Sequence, residues 1–453
     1  MTDAQRQHVP DPLFTDFYEL TMMQSYLREG MSGTAVFSLF VRRLPDHRNY
    51  LLACGLDGVL SAIEAFRLGP EDLRYLASLD IFSSEFLGWL RDFRFTGDIH
   101  ALPEGTPAFG NEPILEVVAP LPEAQYFETF IINQIHLQTL LASKASRVVT
   151  AAQGRKVVDF GARRMHGVEA AAAAARAFHI AGVDATSNVS AARSHGLPLT
   201  GTMGHSYVQA HDREADAFRA FAKTFPGTTI LIDTYDTERA ARQIVDLTRS
   251  EGAGFRISAV RLDSGDLEAL SRHVRRLLDS AGLGQIRILA SGGLDEWKIA
   301  RLVETGAPID GFGVGTAMGV SEDDPALDIV YKLTEYNGKG RLKLSTAKST
   351  LPGQKQVFRM ESGGKVSGDT IVRVQDTAAG RPLLREVMRN GQRLAAGHDT
   401  LPIARGRAHA ERALLPAGLL DLDAAKPPYA VAIGPALAAD ERQLREQLTK
   451  QLS

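Results

Sequence analysis

The chain has 453 residues, of which 44% are hydrophobic and 23% are charged, and its formal net charge is −3. This length exceeds what one hydrophobic core usually holds, so we expect two domains. The small negative charge argues against nucleic acid or an anionic membrane as the main partner. The single cysteine, Cys54, excludes an intrachain disulfide and a thiolate zinc cluster, and is typical of a reducing interior.

The sequence also predicts where the protein resides. The N-terminal segment MTDAQRQHVPDP is polar and lacks the apolar core of a signal peptide. The most uniform apolar stretch, Ala170–Ala175, is interrupted on either side by Glu169 and Arg176, too soon for it to span a bilayer. We therefore expect a cytoplasmic protein.

Residues 1–124 show a mixed pattern that predicts an N-terminal α+β domain. A helix is predicted over Thr15–Leu27, with Thr15 as its cap. Buried strands are predicted at Thr34–Val41 and Ile114–Val118. From Gln125 to Val148 the pattern is one long helix, with which the second predicted domain begins.

Short apolar runs alternate with helical patterns between Lys156 and Gly315, within a predicted catalytic domain of residues 125–326. This alternation predicts a parallel sheet with crossover helices. Seven strands in roughly 160 residues suit an irregular or incomplete α/β barrel better than an open sheet, although the spacing alone does not exclude an open sheet. The predicted strands are Lys156–Phe160, Val183–Ala185, Leu197–Gly201, Thr229–Asp233, Arg256–Asp263, Ile286–Ser291 and Ile309–Val314.

The regular alternation ends near Ala326, and residues 327–453 form a C-terminal segment that we expect to pack partly with the N-terminal domain. Asp328–Tyr336 and Arg341–Ser345 are predicted to form a hairpin around Asn337-Gly338, a strong turn signal. A charged helix is predicted at Ala438–Leu452.

Polar residues follow each predicted strand, and in a barrel such residues meet at the C-terminal rim, where active sites form. A purely structural protein has no reason to place arginine, aspartate, histidine and glycine together on one rim. The residues in question are Gly161–Arg164, Asp184 with Thr186–Asn188, Thr202–His205, Asp233–Asp236, Asp263–Asp266, Ser291–Gly293 and Gly313–Thr316.

Two glycine-rich loops follow the last two predicted strands. Glycine lets backbone N–H groups approach a phosphate, and a following helix N-terminus favours the anion. Barrels commonly bind phosphate at their final two loops, although each short motif is also typical of an ordinary turn. The pair predicts a phosphate site formed by Ser291, Gly292, Gly293, Gly313, Gly315 and Thr316.

The arginines of this region have two interpretations each. Arg163-Arg164 is either a solvated pair or a fork for a phosphate or carboxylate. Arg261 lies inside the apolar run AVRLD, where an unpaired charge is costly to bury. It therefore needs an anion, either the neighbouring Asp263 or a substrate carboxylate.

Asp233 and Asp263 each end a predicted strand and are expected to face each other across the rim. Such carboxylates suit Mg²⁺ or sugar hydroxyls, but an aspartate after a strand can also cap the next helix, as Asp266 is placed to do. His205 lies in GTMGHSYVQAH. A lone histidine is usually structural, but its small neighbours would leave the ring accessible as a nucleophile or acid–base group.

The chain resembles the nicotinate phosphoribosyltransferase family through a series of short motifs in the same order, from residue 15 to about residue 360. Jointly these motifs are highly specific. They are TDFYELTM (15–22), VVDFGARRMHG (157–167), GTMGHSYVQAH (201–211), LIDTYDT (231–237), VRLDSGDL (260–267), GVGT (313–316), YKL (331–333) and LPGQKQVFR (351–359).

The resemblance implies an enzyme that joins nicotinate to phosphoribosyl pyrophosphate, forming nicotinate mononucleotide and pyrophosphate for NAD synthesis. It also implies ATP hydrolysis coupled through a phosphohistidine, Mg²⁺ as cofactor, and a homodimer in which the N-terminal domain of one subunit completes the active site of the other. By resemblance His205 is the phosphorylated residue. One small departure is Gly204, where the family usually has alanine.

The resemblance also implies roles for the other site residues. Nicotinate would be held by Tyr18, Thr202 and Arg261, with the arginine facing the carboxylate. Arg163 and Asp233 would lie near the ribosyl group and the ring, and Asp263 would support the ribose or Mg²⁺. Thr316 and the two glycine loops would hold the 5′-phosphate.

Three alternatives stay open at this point. A nicotinamide phosphoribosyltransferase shares the fold but takes a neutral amide, and quinolinate phosphoribosyltransferase lacks the ATP-coupling histidine. The third alternative is a catalytically silent protein that binds a nucleotide or phosphosugar.

Overall fold

The computed structural model describes residues 11–344 and 350–452, which form two compact units. The first unit comprises Met1–Ser143 and Ala326–Ser453, and the second comprises Lys144–Pro325. The polar N-terminal residues 1–10 and the predicted strand end Ser345 lie outside the described residues. Within the described part of the chain, none of the helices has both the length and the apolar character needed to cross a membrane.

The helices of the described residues are, in chain order, α1 (Phe17–Arg28), α2 (Leu56–Ala65), α3 (Pro70–Ser78), α4 (Ser84–Asp92), α5 (Leu121–Tyr126), α6 (Glu128–Ala151), α7 (Val168–Ala181), α8 (Val189–His195), α9 (His205–Gln209), α10 (Glu214–Thr224), α11 (Thr237–Glu251), α12 (Leu267–Ser280), α13 (Glu296–Glu304), α14 (Thr316–Gly319), α15 (Leu401–Leu414), α16 (Ala417–Leu420) and α17 (Pro435–Leu452). Short 3₁₀ helices occupy Ala162–Arg164, Gly252–Gly254 and Ala395–Gly397.

The strands are β1 (Thr34–Val41), β2 (Leu51–Leu52), β3 (Asp98–Ala101), β4 (Pro107–Ala108), β5 (Pro113–Pro120), β6 (Lys156–Asp159), β7 (Ala185–Thr186), β8 (Thr228–Leu231), β9 (Ile257–Leu262), β10 (Arg287–Ala290), β11 (Gly311–Val314), β12 (Ile329–Tyr336), β13 (Lys339–Gly340), β14 (Lys355–Ser362), β15 (Lys365–Arg373), β16 (Arg381–Pro382), β17 (Arg385–Arg389), β18 (Gln392–Arg393) and β19 (Val431–Ile433).

A seven-stranded antiparallel sheet forms the frame of the first unit, in the order β13-β12-β1-β5-β3-β17-β18. Its interior strand β1 reads TAVFSLFV and is buried beyond its first residue, which explains its nearly continuous apolar run. Because β12, β13, β17 and β18 come from the C-terminal segment, both ends of the chain build one sheet. The predicted second α+β domain, made of N- and C-terminal parts, is confirmed.

The division between the units falls inside α6, whereas the predicted boundary at residues 124 and 125 lies before this helix. The first half of this helix places Phe130, Ile131 and Ile135 in the core of the first unit, where they are at most 7% exposed. Burial of apolar side chains in this core ties that half of the helix to the first unit.

Two local predictions for the first unit have different outcomes. Helix α1 begins later than predicted, with Asp16 at its N-cap position, and the hydroxyl of Thr15 donates to the carboxylate of Glu19 instead of capping the helix. The Asn337-Gly338 turn is confirmed, with φ values of +50° and +71° that suit a tight hairpin. Its second strand is β13, which precedes the predicted one.

The second unit contains a six-stranded parallel sheet in the order β7-β6-β11-β10-β9-β8, which curls into an incomplete barrel, as predicted. The predicted strand Leu197–Gly201 is wrong, because only an isolated bridge joins Leu199 to Thr186. Strand β7 is two residues long, so it offers few backbone hydrogen-bonding groups to a further strand beside it. Beyond this bridge, the hydroxyl of Thr202 donates to the backbone oxygen of Thr229 in β8 at 2.5 Å and partly closes the ring.

Four helices of the second unit, α8, α11, α12 and α13, begin with side-chain caps. Asn188, Asp236, Asp266 and Asp295 each accept a hydrogen bond from the backbone N–H three residues later. Such caps satisfy backbone donors that would otherwise lack partners at a helix start. The predicted capping role of Asp266 is confirmed.

Candidate active site

Three neighbouring strands bring Asp233, Asp263 and Ser291 to one edge of the sheet. Strands β8, β9 and β10 are adjacent and parallel, and the three residues follow their C-terminal ends. Residues after parallel strands meet at the same rim. The convergence expected from the sequence is therefore present for these three residues.

Asp233 connects two of these strand ends. Its Oδ2 accepts hydrogen bonds from the backbone nitrogen of Asp263 at 2.9 Å and from the hydroxyl of Ser264 at 2.6 Å. Its Oδ1 is buried and has no hydrogen-bond partner among the described residues. Because Asp236 and Asp266 cap the following helices, neither Asp233 nor Asp263 is needed for capping. An uncompensated buried carboxylate oxygen is costly, which is typical of a site that binds a ligand.

Arg261 lies two residues before Asp263, so both side chains lie on the same face of β9. The Nη1 atom donates to Asp263 Oδ1 at 2.8 Å and to the hydroxyl of Ser291 at 3.0 Å, and Nη2 donates to the backbone oxygen of Met203 at 3.0 Å. Its Nε is buried without a partner among the described residues. Arg261 is therefore paired with Asp263 and still has a donor available.

The electrostatic state of Arg261 agrees with this incomplete pairing. Burial lowers the pKa of its guanidinium, the charges of Asp263 and Asp233 oppose this effect, and the charge of Arg163 adds to it. The arginine still carries its charge at neutral pH, because its ordinary pKa is so high. A buried cation in this condition gains from an additional anion.

His205 is the first residue of the short helix α9, and its side chain is 40% exposed. Its Nδ1 lies 3.2 Å from the hydroxyl of Thr234, and its Nε2 lies 3.7 Å from Asp263 Oδ2. One ring nitrogen is thus oriented by a hydroxyl while the other faces a carboxylate. The ring is accessible, as a nucleophile or a proton-transfer group requires.

Phe160 belongs to this site but was not singled out from the sequence. It follows β6, and its ring centroid lies 6.0 Å from the guanidinium carbon of Arg261. A Cβ atom on Gly313 would fall 2.5 Å from this ring, so Gly313 makes room for Phe160. An aromatic ring beside a buried cation suits an aromatic ligand with a negative substituent. The available signal was its position in VVDFGARR, next to the arginine pair.

Two further aspartates have structural roles. Asp159 is buried, and its carboxylate accepts hydrogen bonds from the backbone of Gly161 at 2.8 Å and from the hydroxyl of Thr186 at 2.7 Å. Burial raises the pKa of Asp159. Asp184 was expected on the rim, and this prediction is wrong. Its carboxylate accepts from the backbone of Val157 near the start of β6, toward the opposite end of the sheet.

The glycine loops have distinct geometries. Gly292 has a φ of +88°, and a Cβ there would fall 1.6 Å from the backbone oxygen of Asp263, so only glycine fits. Ser291 is buried and its hydroxyl donates to Asp263 Oδ1 at 2.5 Å. Gly293 has a φ of +60°, and Gly315 precedes the four-residue helix α14, which begins at the exposed Thr316. Their binding of phosphate stays a prediction.

The remaining predicted residues are distributed as follows. Arg163 and Arg164 are exposed in the 3₁₀ helix after β6. The hydroxyl of Thr202 is bonded to the backbone of β8, so a role in holding nicotinate requires that bond to change. Tyr18 lies in the first unit on α1 and is 44% exposed. Burial and the charge of Glu128 raise the pKa of Tyr18.

The described residues contain no group of three or more histidine, cysteine, aspartate or glutamate side chains arranged to hold a metal ion. Mg²⁺ commonly keeps several waters and binds through one or two carboxylates together with substrate phosphates. Asp233 and Asp263 fit that second mode, because one oxygen of Asp233 has no partner.

Comparison with known proteins agrees with this arrangement. Residues 13–136 match the model of the nicotinate phosphoribosyltransferase N-terminal domain, and residues 155–360 match the nicotinate phosphoribosyltransferase family. The chain is 51% identical over 442 residues to nicotinate phosphoribosyltransferase pncB2 of Mycobacterium tuberculosis, covering 98% of this chain and 95% of that protein. It is 38% identical over 369 residues to nicotinate phosphoribosyltransferase of Bacillus subtilis, covering 79% and 75% of the two chains.

A solved structure also matches nearly the whole chain. The crystal structure of human nicotinic acid phosphoribosyltransferase aligns with a TM-score of 0.85 and 27% sequence identity, over 95% of this chain and 99% of the human one. Sequence and fold thus agree over both units. The chain belongs to the nicotinate phosphoribosyltransferase family.

Proposed function

We propose that this protein is an enzyme that transfers a phosphoribosyl group to nicotinate, forming nicotinate mononucleotide and releasing pyrophosphate, as a step of NAD synthesis or salvage. The observation that supports this function best is the linked group of Arg261, Asp263 and Asp233, in which one guanidinium nitrogen and one carboxylate oxygen are buried and have no hydrogen-bond partner among the described residues. Family membership supports the same reaction.

The chemistry requires two anions to be held on either side of a positively charged transition state. The pyridine nitrogen of nicotinate forms a bond to C1 of the ribose while the bond from C1 to the pyrophosphate oxygen breaks. Carboxylates near the ribose, here Asp233 and Asp263, stabilise the positive charge that develops on the sugar. Fixed positions for both reactants reduce the entropic barrier.

Recognition of nicotinate is assigned to Arg261 and Phe160. The guanidinium of Arg261 would bind the carboxylate of nicotinate, while the ring of Phe160, 6.0 Å from the guanidinium carbon, would lie against the pyridine ring. A neutral amide would leave the buried cation without a second anion. Nicotinamide is therefore expected to be the poorer substrate.

Mg²⁺ is proposed as a cofactor that arrives with phosphoribosyl pyrophosphate. Asp233 and Asp263 are the residues that would contribute oxygen ligands. When bound, the ion would neutralise charge on the departing pyrophosphate. The exposed Arg163 and Arg164 are proposed to bind the same leaving group.

The direct test is nicotinate-dependent release of pyrophosphate, measured with and without ATP. Nicotinamide and quinolinate serve as competing substrates in parallel reactions. We expect release with nicotinate and much less with the other two. Release with nicotinamide at an equal kcat/KM would contradict the assignment of Arg261, and no release with any of the three would favour a catalytically silent binding protein.

ATP coupling is proposed to proceed through His205. An unprotonated ring nitrogen would attack the γ-phosphorus of ATP, the bond to the bridging oxygen of ADP would break, and water would later hydrolyse the phosphohistidine. We predict that His205→Ala keeps basal transferase activity but loses stimulation by ATP. His211→Ala is the matched control, because its ring bonds to the backbone oxygen of Tyr207. Equal stimulation in His205→Ala and wild type would refute the role of His205.

We also propose a homodimer with a shared active site. Phe14, Phe17 and Tyr18 on the first unit are 45%, 55% and 44% exposed, and clustered exposed aromatic residues favour a protein partner. Mixing Tyr18→Ala and Arg261→Ala subunits is predicted to restore part of the activity, since some mixed dimers would contain one intact site. If activity stays absent after subunit exchange has been demonstrated, the site is not shared in this way.

A further inference from the structure

A second region of the barrel unit is rich in positive charge. A cavity of about 810 Å³ is lined by residues that precede or begin strands β6 and β10, by residues that precede β11, and by the end of helix α12. Because the strands are parallel, their starts lie at the end of the sheet opposite the rim that holds Arg261 and Asp263. We call this the basic cavity. Its charged residues are Arg155, Lys156, Arg275, Arg287, Asp279 and Asp310.

The two carboxylates of the basic cavity already have partners. Asp310 accepts a hydrogen bond from the backbone nitrogen of Ile288 at 2.7 Å. Asp279 lies 2.9 Å from Nη2 of Arg275. Among the described residues, Lys156 and Arg287 form no ion pair within 4.0 Å, and both are exposed. Positive charge therefore remains available in the cavity.

Two of the arginines are held in place by the backbone. Nε of Arg155 donates to the carbonyl oxygen of Ile309 at 3.0 Å. Nη1 and Nη2 of Arg275 donate to the carbonyl oxygens of Ile286 and Leu283 at 2.7 and 3.1 Å. The Nε of Arg275 is buried and has no hydrogen-bond partner among the described residues. Cations fixed in this way need little reorganisation to bind an anion.

We propose that the basic cavity is a second anion site, which binds a small molecule that bears one or more phosphate groups. Arginine and lysine bind phosphate through charge-assisted hydrogen bonds, and the cavity volume lies within the range of small-molecule sites. The net charge of −3 means that these cations act locally and do not belong to a generally basic surface. A nucleic acid is not the expected ligand, because it requires an extended basic surface.

The test compares phosphate binding in wild type and in K156Q/R287Q by isothermal titration calorimetry, with inorganic phosphate, tripolyphosphate and ATP as the probes. We expect K156Q/R287Q to lose one binding equivalent of tripolyphosphate, or to bind it at least about tenfold more weakly, because charge-assisted hydrogen bonds are lost. At the binding equivalent that K156Q/R287Q loses, tighter binding of ATP than of tripolyphosphate would identify a nucleotide as the ligand, whereas equal affinities would show that phosphate alone is recognised.

The matched control is K223Q/R249Q, which removes two exposed positive charges from the same unit outside the cavity. This control should bind as wild type does. Equal binding by wild type and K156Q/R287Q, or equal weakening in both double variants, would overturn the proposal.

A measurement of catalysis distinguishes failure of this inference from failure of the proposed function. K156Q/R287Q should keep the wild-type kcat/KM for nicotinate within about twofold when no additional phosphate compound is present, because surface changes away from a site have small effects. Loss of the extra binding equivalent is expected whether or not the rim catalyses phosphoribosyl transfer.

Discussion

Two arginines with little solvent exposure, one in each unit, show how the same side chain is used differently. Arg359 in the first unit has no exposed side-chain surface and binds both oxygens of Asp369, with its Nε at 3.0 and 3.1 Å. Arg261 in the second unit is 12% exposed and binds one oxygen of Asp263, which it shares with Ser291. Arg359 contacts both oxygens of its carboxylate, whereas Arg261 contacts one. Among the described residues each arginine keeps one buried nitrogen without a hydrogen-bond partner, but Nη1 of Arg359 lies 3.9 Å from the carboxylate of Glu411.

The pKa values of the two arginines shift in opposite directions. Burial alone lowers the pKa of Arg359, but hydrogen bonds to Asp369 and the charges of Asp369 and Glu112 outweigh it and raise the pKa. For Arg261 burial prevails and lowers the pKa. The internal counterions of Arg359 thus outweigh its burial, whereas Asp263 and Asp233 do not outweigh that of Arg261, which agrees with the proposal that Arg261 binds a substrate carboxylate.

The largest expected effect is on the stability of the first unit. Arg359→Met leaves the carboxylate of Asp369 buried without its cation, although the hydroxyl of Tyr429 still donates to it at 2.8 Å. We predict that the free energy of unfolding falls by about 3–5 kcal/mol, because an unpaired buried charge is costly. Urea unfolding followed by circular dichroism measures this change.

The double variant R359M/D369L is the control for the Arg359 prediction. Replacing a buried ion pair by apolar groups of similar volume is often close to neutral. The double variant should therefore recover more than half of the lost stability. A double variant less stable than Arg359→Met would show that packing, and not the buried charge, determines the effect.

Arg261→Gln should affect catalysis more than stability. We predict that kcat/KM for nicotinate falls about a hundredfold, because hydrogen bonds to a charged group are lost. The free energy of unfolding should fall less than in Arg359→Met, because the side chain of Asp263 is 33% exposed and solvent can compensate its charge. Activity with nicotinamide, which lacks the carboxylate, should fall by a smaller factor. Equal losses for the two bases would mean that Arg261 does not recognise the carboxylate.

The smallest expected effect concerns Glu19, a fully buried carboxyl of the first unit. Burial raises its pKa to about 7, although hydrogen bonds from Thr129 and Thr15 oppose the shift. The raised pKa favours the protonated form in the folded state, so this contribution to stability is fully present below about pH 4.5 and is lost as pH rises through about 7.

Glu19→Gln should therefore stabilise the protein at pH 8 by on the order of 2 kcal/mol, with little difference from wild type at pH 5. Thermal unfolding at a series of pH values measures the difference. Glu29→Gln, on an exposed residue just after the same helix, is the control and should show no such trend. A stabilisation that does not depend on pH would contradict the titration of Glu19.

Much of the fold and part of the site follow from the sequence. The alternation of strands and helices predicted the barrel unit, and residues at strand ends predicted the meeting of Asp233, Asp263 and Ser291, because parallel strands end at one rim. The position of Asp184 could not be predicted, since β7 begins one residue after it. Because Asp184 precedes β7, its side chain lies at the start of this strand and not at its end.

The hydrogen-bond partners of Thr202 and the placement of Phe160 also required coordinates. The hydroxyl of a residue that follows a strand can face a ligand or a backbone oxygen, and the local sequence pattern is the same in both cases. The packing of Phe160 against Gly313 depends on a residue far along the chain. Neither contact leaves a periodic signal.

The gap between β7 and β8 has a consequence for motion near His205. The segment before this residue is joined to the sheet by the bridge of Leu199 to Thr186, by the hydroxyl of Thr202, and by the hydrogen bond from Nη2 of Arg261 to the backbone oxygen of Met203. Such a segment can detach without breaking a strand ladder, and local openings of this kind need little free energy. Amide hydrogen exchange should therefore be faster at residues 199–204 than in β9 and β10, so the segment that leads to the histidine should open locally more often than the sheet beside it.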